Sequence, residues 1–173
     1  MTELYRPFLA LVPEGGQILD AGCGSGRDAR AFLLRGYRVT AFDASPALVR
    51  MASEYLGQPV LQSTFEEMAW RDEFDGIWAS ATLLHCPGHA IASIVDKFIA
   101  ALRPGGAWYM SFKKGDSERV DENGRFFCDY TLESLQQLID RFPAIETVEL
   151  FEEPSIASGG PHDWVVAIVR RAV

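Results

Sequence analysis

The chain has 173 residues, 48% hydrophobic and 23% charged, close to globular averages, which argues for a single domain with a sizeable core and against disorder, collagen or coiled coil. Sixteen Lys and Arg against 24 Asp and Glu give a net charge of −8, which opposes non-specific attraction to nucleic-acid backbones or anionic lipid. No apolar run approaches the ~20 residues that span a bilayer. The opening MTELYRPFL lacks the basic region and apolar core of a signal peptide, so a cytoplasmic protein with no membrane partner is expected. Cys23, Cys86 and Cys128 are odd in number, far apart and without a CxxC pair; they read as reduced thiols rather than a disulfide framework or a zinc site.

Apolar runs alternate with amphipathic stretches, the pattern of a parallel sheet whose strands are joined by crossover helices. A short amphipathic helix over 4–12 precedes a turn and a buried strand over 17–21, followed by glycines from Gly22 to Gly26. A helix over 29–35 stops at Gly36 and a second strand covers 37–43. Ser45-Pro46 starts the next helix, with a hydroxyl at the N-cap and a ring at the first helical position, and Gly57 ends it. Strands are predicted over 60–63 and 74–79, a helix over 89–102 stopping at Arg103-Pro104-Gly105-Gly106, and a strand over 107–112. The 18-residue, largely polar and Gly-containing segment 113–130 reads as a long functional loop. A helix over 131–141 and strands over 145–151 and 164–169 complete the chain. No helix separates the last two strands, so they pair antiparallel through the loop 152–163 and the sheet is mixed at this end.

The strongest signal is Ile18-Leu19-Asp20-Ala21-Gly22-Cys23-Gly24-Ser25-Gly26-Arg27, a strand ending in an acid that turns through three alternating glycines into a helix. A nicotinamide fingerprint, G-x-G-x-x-G, needs glycine where Arg27 stands; the spacing here is G-x-G-x-G. A carboxylate at Asp20 repels a pyrophosphate and attracts an ammonium group. Asp43 follows 23 residues later at the end of the second strand, where a carboxylate accepts ribose hydroxyls. An amino acid joined to a nucleoside without a phosphate meets both demands, and S-adenosylmethionine is such a molecule. The plainer alternative is a tight turn with two solvated strand-end acids.

With Phe42-Asp43-Ala44-Ser45, Phe74-Asp75-Gly76-Ile77-Trp78-Ala79, Leu83-Leu84-His85, Leu102-Arg103-Pro104-Gly105-Gly106, Ser111-Phe112-Lys113 and Gly124-Arg125 added, the chain resembles the class I S-adenosylmethionine-dependent methyltransferases. Within them it is similar to a bacterial group akin to tellurite-resistance and ubiquinone-biosynthesis methyltransferases. The resemblance implies an α/β, Rossmann-like three-layer sandwich whose mostly parallel seven-stranded sheet has its last strand antiparallel, between the fifth and sixth. It implies that Asp20 and the backbone at Gly22, Gly24 and Gly26 hold the methionine part, Asp43 and Ala44 the ribose side, Thr64 and Phe65 the adenine edge, and that Ala79 lies near the transferable methyl. Many relatives have an acid at the end of the third strand, where this chain has Gln62, Ser63 and Thr64. Relatives also begin with a segment upstream of the first helix that folds over the cofactor; this chain starts almost at that helix, which implies closure by another loop or a more open site.

Ser80-Ala81-Thr82-Leu83-Leu84-His85-Cys86-Pro87 carries neither the Asn/Asp-Pro-Pro-aromatic signature of amino-directed nucleic-acid methyltransferases nor the Pro-Cys of cytosine-C5 enzymes. The expected partner is therefore a small-molecule methyl acceptor rather than nucleic acid, met by a monomer or homodimer. His85 follows the strand end nearest the methyl and is either a general base or a structural histidine bonding backbone at a helix start. His89 and His162 lack a partner acid at metal spacing, so no metal is expected. Glu66-Glu67 and Glu152-Glu153 read as solvated charge pairs. Lys113, Arg125 and Tyr130 of the 113–130 segment are the substrate candidates, Arg125 because its planar fork both pairs and stacks. The alternative class is a regulatory or catalytically silent protein that keeps the cofactor pocket.

Overall fold

The computed structural model describes residues 2–154 and 163–173. In chain order it runs α1 (Thr2–Leu9), β1 (Gln17–Ala21), α2 (Arg27–Leu33), β2 (Arg38–Asp43), α3 (Pro46–Leu56), β3 (Leu61–Gln62) and β4 (Phe74–Ala79). A 3-10 turn (Leu83–His85), α4 (Gly88–Ala101), β5 (Leu102–Lys113), β6 (Glu118–Val120), β7 (Phe126–Cys128), α5 (Leu132–Ile139), β8 (Ile145–Glu153) and β9 (Trp164–Arg171) follow. Seven strands form one sheet in the order β3-β2-β1-β4-β5-β9-β8, parallel except for β9, which runs antiparallel to both β5 and β8.

The central strands are buried on both faces, which explains why they read as nearly continuous apolar runs rather than alternating ones. On one face Tyr5, Phe8 and Phe32 from α1 and α2 pack on Trp78 at 5.2, 5.3 and 5.4 Å between ring centres. On the other, Phe98 of α4 stacks on Trp108 at 4.7 Å, and Leu135 and Leu138 of α5 join the same cluster. The sandwich therefore has three layers. Local signals hold where they were strongest: the Ser45 hydroxyl accepts from the Leu48 amide, and Gly57 ends α3 at φ 69°.

The segment 113–130 is not an irregular loop. It contains the two-stranded pair β6–β7, closed by a turn in which Asp121 accepts the amides of Asn123 and Arg125 and Gly124 adopts φ 77°. Its polar composition hid two three-residue strands that take their burial from elsewhere, through Phe127 and Cys128. β5 also starts earlier than expected, because Leu102 pairs with Phe74 before the turn at Gly105 interrupts the ladder. The third strand shortens to two residues. Residues 155–162, between β8 and β9 in the chain, are not among those described, and His162 is one of them.

Candidate active site

The carboxyl ends of β1, β2 and β4 open onto two cavities of ≈ 360 and ≈ 270 Å³ that share Gly22, Gly24 and Ala81. This is where open α/β sheets place their ligands, at the point where strand order reverses around β1. The larger is walled by Phe42, Asp43, Ala44, Thr64, Phe65 and His85, with Leu48, Ser63 and Thr82. The smaller is walled by Asp20, Cys23, Ser25, Arg27, Asp28 and Ser80. Gly24 has φ 56°, and a Cβ built on it would meet nothing within 4 Å, so its backbone faces open space. Gly22, at φ 71°, touches the other wall: a Cβ there would lie 2.0 Å from Thr82 Oγ1.

Asp43 is shaped for a polar ligand by its own backbone bonds. One carboxylate oxygen accepts the Gly24 amide at 2.9 Å and the other the Ser45 amide at 2.9 Å, which fixes the group between the glycine turn and the start of α3. Asp20 is 3% exposed and accepts the Ala29 amide at 2.9 Å. Burial, and then the charge of Asp28 beside it, push its carboxyl well above the usual range. Asp28 faces the same cavity but takes hydrogen bonds from Tyr5 Oη (2.7 Å), Trp78 Nε1 (2.9 Å) and Arg27 Nε (2.7 Å). Burial alone would raise its carboxyl too; the Arg27 and Tyr5 hydrogen bonds, the Arg27 charge and Trp78 together hold it below the usual range. The Cys23 thiol is pushed up to about 12 by burial and by the nearby charges of Asp20 and Asp43, so it is a neutral wall rather than a nucleophile.

Next to the larger cavity, which His85 lines, the 3-10 turn and the β6–β7 pair are clamped together. His85 Nδ1 lies 2.7 Å from the Phe126 carbonyl, which can only accept, so this nitrogen carries the hydrogen. The His85 ring meets Phe127 edge-on at 4.8 Å. Glu118 of β6 accepts the Gly88 amide at 2.7 Å and thereby caps α4, whose own N-cap position is Pro87 and offers no side-chain bond. Lys113 Nζ, Arg119 Cζ and Arg125 Cζ surround the Phe127 ring at 4.5, 4.6 and 5.5 Å.

Asp20, Gly22, Gly24, Asp43, Ala44, Thr64, Phe65 and His85 are thus brought to the two cavities. The other five, Ala79, Gly26, Lys113, Arg125 and Tyr130, line neither cavity. Ala79 is fully buried in β4 and lines neither cavity; the next residues, Ser80 and Ala81, do, because the strand ends there. Gly26 packs α2 against α3, where a Cβ would lie 3.2 Å from Leu56. Tyr130 is buried against Phe112 at 4.5 Å. Arg125 is held by Asp121, with Nε 2.9 Å from its carboxylate. Glu67 is not merely solvated, since it accepts the Thr64 amide at 2.9 Å and shapes the cavity rim. Arg27 and Asp28 were missed as cavity residues, although their position directly after Gly26, at the start of a helix, was the available signal. Among the described residues no group of three or more His, Cys, Asp or Glu is arranged to hold a metal ion.

The chain belongs to the methyltransferase domain family, whose model matches residues 18–106, from β1 into β5. It is 33% identical over 104 residues to the ubiquinone biosynthesis O-methyltransferase of Xylella fastidiosa, a match covering 56% of this chain and 42% of that protein. The chain therefore spans less than half the length of that relative. Among solved structures it resembles the 1,6-didemethyltoxoflavin-N1-methyltransferase of Burkholderia thailandensis, with TM-score 0.83, 24% identity, and 99% of this chain and 76% of that one covered. A SAM-dependent methyltransferase from Methanosarcina mazei gives TM-score 0.82 at 19% identity, covering 98% of both chains. At these identities the structural matches establish the fold.

Proposed function

We propose that the protein is an S-adenosylmethionine-dependent methyltransferase acting on a small-molecule acceptor. The observation that carries this reading is the pair of acids on two joined cavities. Asp43 stands over one and Asp20 over the other, with the open backbone of Gly24 between them. Asp20 would take the ammonium of the amino-acid part, Asp43 the ribose hydroxyls, and Thr64 and Phe65 the adenine. When bound, the cofactor supplies an electrophilic methyl group on a sulfonium centre.

The chain's own residues then align an acceptor and manage its proton. With Nδ1–H given to Phe126, a neutral His85 keeps the lone pair of Nε2, which is the form that accepts a proton. Lys113 and Arg125, both beside the Phe127 ring, are our candidates to meet an anionic or planar acceptor. The relatives named for ubiquinone biosynthesis and for didemethyltoxoflavin support a small planar acceptor bearing an oxygen or ring nitrogen. The reading extends to a single domain working in the cytosol as a monomer or homodimer.

Methyl transfer from labelled cofactor to fractionated metabolites tests the reading. Product formation is expected in a low-molecular-mass fraction, and His85→Asn is expected to slow it ~100-fold or more while leaving affinity for S-adenosylhomocysteine unchanged. No transfer to any fraction, together with no binding of that product, would sink it.

A further inference from the structure

Ala81 is one of two non-glycine residues in the described chain with positive φ, at 53°, and it lies where the two cavities meet. A left-handed residue with a Cβ persists only when its surroundings hold it there. The holding contact is visible: the Ala81 amide donates to Ser111 Oγ at 2.8 Å, from a strand 30 residues away. Ser111 is 3% exposed, on β5. Tyr109, two residues before it on the same strand, stacks on Trp78 at 3.7 Å, and the Trp78 indole donates to Asp28, which lines the smaller cavity.

Reversal of the backbone at Ala81 has two consequences. It turns Thr82 against Gly22, at the position where a Cβ would collide with its Oγ1. It also launches the 3-10 turn, whose His85 amide donates to the Thr82 carbonyl at 3.2 Å. The conformation at Ala81 therefore sets both the junction of the cavities and the approach of His85.

We propose that Ser111 is a positioning residue that clamps Ala81 in its left-handed conformation, and through it fixes the cavity junction and the turn that carries His85. Its functional part rests on the reading that the joined cavities hold S-adenosylmethionine. Glycine would adopt this conformation without a clamp. That difference supplies a test which a general structural role of a buried serine would not pass.

The variants Ser111→Ala, Ser111→Thr, Ala81→Gly and the double variant S111A/A81G are compared by amide exchange at Ala81 in the ligand-free protein and by calorimetric binding of S-adenosylhomocysteine. Ser111→Ala is expected to speed exchange at Ala81 and to weaken binding about tenfold, while Ser111→Thr, which keeps the hydroxyl, stays near wild type. In the double variant affinity is expected to return to within about twofold of Ala81→Gly alone, because the two residues act on one conformation. Unchanged exchange at Ala81 in Ser111→Ala, or independent losses that simply multiply in the double variant, would overturn the proposal. If wild-type protein fails to bind the product, the cofactor reading falls, whereas the exchange measurement still decides whether Ser111 holds Ala81.

Discussion

Asp20 and Asp28 face one cavity from adjoining elements, and the fold treats their carboxylates in opposite ways. Asp28 is satisfied by Tyr5, Trp78 and Arg27, whereas Asp20, equally buried, accepts one backbone amide and is exposed to the charge of its neighbour. Arg27 lines the same cavity but spends its hydrogen bonds on Asp28, which leaves Asp20 suited to receive a cation of its own.

The pH dependence of stability follows from this arrangement. Below the ordinary Asp range, both the folded and unfolded chains hold the Asp20 proton. Between that range and the raised folded value, only the folded chain holds it, so Asp20 makes the ligand-free protein less stable as pH rises across this window. Asp20→Asn is expected to flatten that decline and raise the melting temperature at neutral pH, while weakening product binding at least about tenfold. Melting curves between acid and neutral pH check the first part and calorimetry the second. An identical pH slope in the variant would show that Asp20 is not the group responsible.

Removing Asp43 has a cost inside the protein as well as toward the ligand. Asp43→Ala frees the amides of Gly24 and Ser45 as well as any ribose hydroxyls. Product affinity is expected to fall at least about tenfold, and stability by about 1–2 kcal/mol, as backbone donors lose a charged acceptor. Unchanged affinity by calorimetry would take Asp43 out of the site.

Tyr5 ties α1 to the wall of the smaller cavity. Tyr5→Phe deletes the bond to Asp28 but leaves Trp78 and Arg27, and is expected to cost about 1.5–3 kcal/mol in denaturant unfolding. Asp28→Ala should cost more, since it leaves the Tyr5 hydroxyl and the buried Trp78 indole N–H without their acceptor. The Asp28 contribution is present above the ordinary Asp range and is lost as pH falls through its lowered folded value. If both variants melt like wild type, the network does not anchor α1.

The cap that Glu118 lends to α4 gives a fourth measurement. Glu118→Ala is expected to cost about 1 kcal/mol, with faster amide exchange at Gly88, whereas Glu118→Gln keeps an acceptor and most of the effect. Equal exchange at Gly88 in all three proteins would mean that solvent replaces the cap.

Much of this molecule is legible in its sequence because the deciding interactions are local. The strand, glycine turn and helix from Gln17 to Leu33 form within a few residues of one another. So do the Ser45–Pro46 start of α3 and the Asp43 carboxylate bonding the amide two residues on. Apolar periodicity likewise exposed the alternation of strands and helices, and the missing crossover before Trp164 pointed to an antiparallel last strand. What only the tertiary structure decided depends on residues distant in the chain. Asp28 meets Tyr5 and Trp78 across 23 and 50 positions, and His85 meets Phe126 across 41. Two three-residue strands, too short to show a period in a polar segment, pair where Phe127 and Glu118 dock on the turn beside α4. The left-handed backbone at Ala81 belongs to the same class: alanine does not favour it locally, and it persists because Ser111, brought close by the pairing of β4 with β5, supplies the acceptor that its amide needs.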